Sequence, residues 1–158
     1  NQKQAKVDGV EVNLQHNFGD SVYGFIANAT FASADVGYDN TNSLEGQFVL
    51  NGLSDSANLI GFYDKNKLQV RLAYNWRDDF LAGVGQGQGT TTNPTNVKAY
   101  GQLDVGITYQ ATERLTVYFS GLNVTESTVH VYGLTQDQVL QAVQGGARYD
   151  IGLRYSFR

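Results

Sequence analysis

The chain has 158 residues, which suits one domain on length alone, and its formal charge of −4 with no basic block argues against nucleic acid as the main partner. It contains no cysteine, which excludes a disulfide framework and a thiolate zinc site. No run approaches the roughly 18 apolar residues of a membrane-spanning helix, and the opening Asn1-Gln2-Lys3-Gln4 is polar, unlike a secretory signal.

The pattern that recurs along the chain is period two. In a strand, successive side chains point to opposite faces, so alternation of apolar and polar residues marks a sheet with one greasy and one wet side. A first strand is expected from about Val10 to Phe18, with Val10, Val12, Leu14, His16 and Phe18 on one face and Glu11, Asn13, Gln15 and Asn17 on the other. Gly19-Asp20-Ser21 reads as a tight turn. The second strand, Val22 to Ala32, aligns Tyr23, Phe25, Ala27, Ala29 and Phe31. A long loop rich in Asp, Asn, Ser and Gly follows, from about 33 to 56. The third strand, about Ala57 to Tyr63, carries apolar residues on both faces, and its facing stays open. After the turn Asp64-Lys65-Asn66-Lys67, the fourth strand, Leu68 to Arg77, sets Leu68, Val70, Leu72, Tyr74 and Trp76 against Gln69, Arg71, Ala73, Asn75 and Arg77.

A second long loop spans about 78 to 97, and its low-complexity stretch Gly85 to Pro94 is expected to be mobile. The fifth strand, Lys98 to Tyr109, opposes Leu103, Val105, Ile107 and Tyr109 to Gln102, Asp104, Gly106 and Thr108. Gln110 to Arg114 is a short turn, and Leu115 to about Val124 is the sixth strand. The third long loop, about 125 to 146, is expected to hold a short helix: Thr135-Gln136-Asp137-Gln138 has capping-box spacing, and Val139, Leu140 and Val143 give an apolar side. The seventh strand places Tyr149, Ile151, Leu153, Tyr155 and Phe157 on one face and Asp150, Gly152, Arg154 and Ser156 on the other.

Connections therefore alternate short and long, as the periplasmic turns and outer loops of an outer-membrane barrel do. Assigning the short turns to the periplasm ends the chain there. Aromatics then fall at two levels: Phe18, Tyr23, Tyr63, Tyr109, Tyr155 and Phe157 below, and Phe31, Trp76, Tyr100 and Tyr149 above. The rise from Tyr23 to Phe31 is on the order of 20 Å at about 3.3 Å per residue and a tilt of about 40°, which fits an apolar band about 25 Å tall. The mean hydropathy of −0.33 is compatible, because only alternate strand residues would meet lipid. A soluble barrel or sandwich also alternates, but its strands cluster around 5–6 residues, whereas several here reach the roughly 9–11 of a spanning strand. The expected fold is all-β: an antiparallel transmembrane β-barrel segment. Bacterial single-chain barrels have an even number of strands, and open edges in lipid cost several kcal/mol for each unpaired group. Seven strands therefore suggest a piece of a larger barrel that begins within an outer loop.

Several segments resemble the C-terminal part of TonB-dependent outer-membrane transporters: Asn58-Leu59-Ile60-Gly61-Phe62-Tyr63-Asp64-Lys65, Val70 to Arg77, Gln102-Leu103-Asp104-Val105, Val117 to Thr125 and the last strand. The terminal Asp150-x-Gly152-x-x-Tyr155-x-Phe157 is similar to the signal read by the barrel assembly machinery, with Arg158 one residue past the usual aromatic end. The resemblance implies a barrel of about 22 strands, a plug in a part not included here, and nutrient uptake powered by the inner-membrane TonB complex in the bacterial outer membrane. Gln69, Arg71, Asp104, Arg148, Asp150 and Arg154 would line the lumen, where buried polar groups need partners that a plug surface can offer.

Within the family, Asn75-Trp76-Arg77-Asp78-Asp79-Phe80 and the segment from Val131 to Gln144 are most similar to transporters linked to oligosaccharides. Asn75, Arg77, Asp78, Gln102, Tyr38 and Tyr132 are the candidate sugar-binding groups near the outer mouth, although a solvated strand end is the simpler account of Arg77 and Asp78. Trp76 and Tyr100 read as interfacial anchors. A ferric siderophore or haem stays open, with His130 the histidine placed in an outer loop. No resident cofactor and no metal site is expected, since Asp78-Asp79 alone falls short of the six to eight oxygens of calcium. No nucleophile, base and orienter share a register, so an enzyme is not expected. The Asn28 and Asn123 sequons are read as chance. A stand-alone small barrel, acting as an adhesin or structural protein, and a soluble ligand-binding barrel remain the alternatives.

Overall fold

The computed structural model describes residues 3–19, 22–39, 47–87, 90–91 and 93–157. The expectations for Asp20, Ser21, the middle of the first long loop (40–46), Gln88, Gly89, Thr92 and Arg158 lie outside the described residues. In chain order the strands are β1 (Val7–Phe18), β2 (Tyr23–Ala34), β3 (Ser56–Lys65), β4 (Leu68–Arg77), β5 (Phe80–Gly83), β6 (Gln86–Gly87) and β7 (Thr90–Thr91). They continue as β8 (Thr95–Val97), β9 (Tyr100–Gln110), β10 (Leu115–Leu122), β11 (Thr128–Tyr132), β12 (Val139–Gln144) and β13 (Arg148–Tyr155). Seven of them form one antiparallel sheet in the order β1-β2-β3-β4-β9-β10-β13. These are the seven long strands expected from alternation, with ends shifted by a few residues.

Register fixes the faces. Leu14 pairs with Ala27, Ala27 with Leu59, Leu59 with Tyr74, and Tyr74 with Leu103. Ile107 pairs with Phe119, and Phe119 with Ile151. The apolar rows of neighbouring strands thus merge into one continuous face. The open question of β3 is settled: Ala57, Leu59, Gly61 and Tyr63 join that face, and Ile60 and Phe62 turn to the polar one. Tyr100 departs from expectation. It pairs with Arg77 and shares the face of Gln102, so of the two proposed anchors only Trp76 lies among the apolar rows. His16 sits at the short-turn end of the apolar face, with ring centroids 4.6 Å from Phe18 and 6.0 Å from Phe25.

Nothing among the described residues covers the apolar face. Ile151 is 78% exposed, Leu153 69% and Val10 62%. The buried apolar side chains Val97 and Pro94 lie in the second long loop rather than in the large sheet. A soluble sandwich would bury these rows against a second sheet. This sheet leaves them exposed and remains open, with β1 and β13 as its edges. Short turns join the strands at one end. Asn66 takes the left-handed region (φ 55), which asparagine tolerates, between β3 and β4. Between β9 and β10, Thr112 Oγ1 accepts hydrogen bonds from the amides of Leu115 (3.0 Å) and Arg114 (3.2 Å).

The long-loop end has structure of its own. A second sheet runs β12-β11-β8-β5, and β6 pairs with β7. The helix expected in the third loop is therefore a β-hairpin. Thr135 to Gln138 makes its turn, with Gln138 N donating to Thr135 O at 3.0 Å and Gly133 N to Gln138 O at 3.0 Å. The three-residue spacing that suggested a cap serves a turn instead. The β-branched Val139 and Val143 extend in β12 against Tyr132 and Val129 of β11. The low-complexity stretch of the second loop contains β6, β7 and the buried Pro94.

Candidate functional site

Two polar clusters occupy the face opposite the apolar rows and the loops above it. The first gathers on Asp104 in β9. Its Oδ1 accepts hydrogen bonds from Gln102 Nε2 (2.8 Å) and from the Asn123 amide (2.9 Å), and its Oδ2 accepts one from Asn75 Nδ2 (3.5 Å). Alternation places Asp104 and Gln102 on one face, and Asn75 pairs directly with Gln102 across β4 and β9. Asn123 takes a left-handed turn (φ 53) just after β10, and its Oδ1 accepts the Ser127 amide at 2.9 Å. Two of the expected sugar-binding residues, Asn75 and Gln102, are thus held side by side by a third residue expected to line the lumen.

The second cluster gathers on Asp79, between β4 and β5. Its Oδ1 accepts the Ala99 amide, and its Oδ2 accepts Tyr132 Oη at 3.2 Å and Gln136 Nε2 at 3.0 Å. Burial, reinforced by the Asp79 carboxylate, raises the Tyr132 hydroxyl above the ordinary tyrosine pKa, with Gln136 acting weakly in the other direction. Asn96 Nδ2 also donates to Gly133 O at 2.7 Å. The second and third long loops are therefore joined by side chains as well as by the pairing of β8 with β11.

The remaining expected binding residues tie loops together. Arg77 donates from Nε to Ser54 Oγ (2.8 Å) and from Nη2 to Gly52 O (2.5 Å), and its guanidinium lies 3.9 Å from the Phe80 ring centroid. Asp78 accepts the Asp79 amide at 2.9 Å and donates its own amide to Asp55 O at 2.9 Å. Tyr38 donates to Val84 O at 3.4 Å. Tyr132 belongs to the Asp79 cluster. These four make the loop platform, and none of these hydrogen bonds reaches Asn75 or Gln102.

The expected lumen-lining residues share the polar face. Gln69 donates to Asp64 Oδ2 at 3.0 Å. Arg71 pairs with Phe62 and Gly106, and with Phe62, Gln69 and Thr108 it borders a shallow hollow. Arg148, Asp150 and Arg154 of β13 stand opposite Leu122, Ser120 and Thr116. In the terminal segment, Gly152 lies beneath the Tyr118 ring, and Tyr155 meets Phe157 edge-on at 4.8 Å. Phe157 falls two residues beyond the end of β13. Sequence reasoning missed Asp79, Asn96 and Asn123 as organisers. The available signal was an Asp or Asn beside a strand end, a residue type that bonds nearby backbone. Among the described residues, no group of three His, Asp or Glu side chains is placed to hold a metal ion.

The family described as TonB dependent receptor-like, beta-barrel matches residues 1–124. The chain belongs to this family. Comparison with curated proteins and with solved structures returned no match. The matched residues run from β1 through β10 and so include the Asp104 and Asp79 carboxylates, while β11 to β13 follow them. Members of the TonB-dependent receptor barrel family are outer-membrane transporters rather than enzymes, and they work with a plug and with TonB. The earlier resemblance rested on segments between about 58 and 157. The family match adds β1, β2 and the first long loop to it.

Proposed function

We propose that this chain forms the wall and long-loop portion of a TonB-dependent transporter for a scarce nutrient, with an oligosaccharide as the favoured substrate. The observation that carries the reading is the unbroken apolar face, seven strands wide, backed by a face of amides, carboxylates and guanidinium groups. In this reading the apolar rows meet lipid, and Gln69, Arg71, Asp104, Arg148, Asp150 and Arg154 face the lumen and the plug. The long loops (about 33–56, 78–97 and 125–146) lie outside and the short turns in the periplasm, where the chain ends. Asp150, Gly152, Tyr155 and Phe157 serve the assembly machinery. Asn75 and Gln102, steadied by Asp104, offer a neutral hydroxyl-rich ligand paired donors and acceptors, which supports a sugar over a charged chelate.

Two measurements test this. The chain has no native cysteine, so Asp137→Cys in the third long loop and Glu113→Cys in a short turn provide defined labels. A membrane-impermeant maleimide added to intact cells should label the first and spare the second; the reverse pattern overturns the orientation. Cells producing the receptor should accumulate labelled oligosaccharide only while TonB is intact and the inner membrane is energised. Equal accumulation without TonB refutes active transport.

A further inference from the structure

The polar face carries a row of which the functional reading used only the last two members, Asn75 and Gln102. Asn13 pairs with Asn28, Asn28 with Asn58, Asn58 with Asn75, and Asn75 with Gln102. Five carboxamides thus stand in direct register on β1, β2, β3, β4 and β9. Strands lie about 4.8 Å apart, so the ladder is about 19 Å long. It runs across strands that tilt by about 40° in barrels of this kind, so it climbs the wall obliquely as a ramp.

Its hydrogen-bonding capacity is only partly used within the protein. Asn58 Nδ2 donates to Asn28 Oδ1 at 2.7 Å. Asn75 and Gln102 each give one N–H to Asp104. Asn13 has no side-chain partner among the described residues. Each carboxamide has two N–H donors and an accepting oxygen, so most rungs keep both kinds of group available. Of the two adjoining rows on the same face, the one through Thr30, Ser56, Arg77 and Tyr100 is largely polar, and the other is different. Ile26 pairs with Ile60 and Ile60 with Ala73, leading to Asp104. An apolar strip therefore borders the amides.

A ligand suited to this surface has exchangeable donors and acceptors along one edge, an apolar face beside them, no net charge, and a repeat near the strand spacing. An anionic ligand would gain more from guanidinium groups, and a hydrocarbon would leave the amides unsatisfied. A chain of pyranose rings has all four properties: hydroxyls at the ring edge, C–H groups on the ring face, neutrality, and units about as long as one inter-strand step. We propose that the ladder from Asn13 to Gln102 is a binding track for a neutral, linear oligosaccharide, with about one sugar unit to each rung. The inference rests on the transporter reading above and assigns the ligand a path along the wall.

The test uses the complete purified receptor in detergent and titration calorimetry. The probes are neutral linear glucans, xylans and mannans graded from disaccharide to hexasaccharide. In the unmodified receptor, affinity should rise with each added unit of the preferred series. Asn58→Thr combined with Asn75→Thr keeps residues suited to strands and should flatten that rise, weakening the hexasaccharide about tenfold and the disaccharide little, as loss of two ordinary hydrogen bonds predicts. Thr108→Ala, on the same face away from the ladder, should preserve the length dependence. Retained length dependence in the threonine variant overturns the track and leaves the transporter reading standing. A lowered melting temperature with that dependence intact gives the ladder to the plug and also overturns the track. An equal loss at every length means a distorted wall and overturns it too. If no probe binds the unmodified receptor, the oligosaccharide reading falls and the track falls with it.

Discussion

Tyr132 donates its hydroxyl to Asp79 across 3.2 Å, although 53 positions separate the two residues. The same carboxylate holds the Ala99 amide and Gln136, so one side chain fastens the β5–β8 hairpin to the β11–β12 hairpin. Hydrogen bonds to a charged group are worth about 1.5–3 kcal/mol when their geometry is good and solvent is partly excluded. Asp79→Ala should therefore lower local loop stability by about 2 kcal/mol while the large sheet stays folded. Amide exchange is the measurement. The Ala99 amide and the β8 and β11 amides should exchange at least tenfold faster, and β3 and β4 should not change. Unaltered exchange at Ala99 would show that the backbone pairing of β8 with β11 suffices.

The Tyr132 hydroxyl also sets a pH dependence. Its pKa is raised by burial first and by the Asp79 charge second. A raised pKa means that the folded loops favour the protonated form. The resulting stabilisation is complete below the ordinary tyrosine value of about 10 and is lost as pH climbs through the raised one. Across the neutral range the contact should not respond to pH. Ultraviolet titration of the receptor and of its Tyr132→Phe variant isolates this group by difference. One phenol should ionise later than an ordinary tyrosine, and ionisation at or below about 10 contradicts the contact.

Glycine positions separate close packing from open surface. Gly24 lies under the Phe62 ring, and a Cβ there would fall 2.6 Å from Phe62 Cζ and against the His16 carbonyl. Gly106 on the same face has nothing within 4 Å of that position. Gly24→Ala should cost about 1–3 kcal/mol as an overpacked site, whereas Gly106→Ala should be neutral or stabilise by a few tenths, since alanine restricts the unfolded chain. The temperature at which each unboiled receptor loses its folded band on a denaturing gel ranks them.

The large sheet was legible because each strand carries its own pattern. Leu68 to Arg77 alternates without a break, and its bounds agree with those of β4. The facing of β3 was not legible, because Ile60 and Phe62 are as apolar as Leu59 and Tyr63, and only pairing with β2 and β4 distinguishes them. Tyr100 was misread because its place near the upper aromatic level outweighed its parity with Gln102. The third loop was misread because Thr135 to Gln138 satisfies a helix cap and a hairpin turn equally well, and the deciding partner, β11, is a separate segment. Asn75 and Gln102 were found from residue type and strand position. Asp79 was not, since its role consists of contacts made 20 to 57 positions away.

The strongest energetic contrast lies between neighbours on one strand. Leu72 is in the middle of the apolar face, paired with Gly61 and Val105, and is 47% exposed. Ala73 points the other way, paired with Ile60 and Asp104. In a bilayer, arginine at Leu72 would meet hydrocarbon at mid-depth and should cost about 2–4 kcal/mol. At Ala73 it would stand near the Asp104 carboxylate on the wet side and should change stability by less than about 1 kcal/mol. Equilibrium unfolding of Leu72→Arg and Ala73→Arg in lipid vesicles measures the difference directly. In a soluble barrel, the apolar face would be the core and the penalty at Leu72 would persist after lipid is replaced by water. In a transmembrane wall, the penalty follows the hydrocarbon and shrinks when the residue is moved toward the aromatic ends, so Leu68→Arg near Tyr109 should cost no more than about 1 kcal/mol.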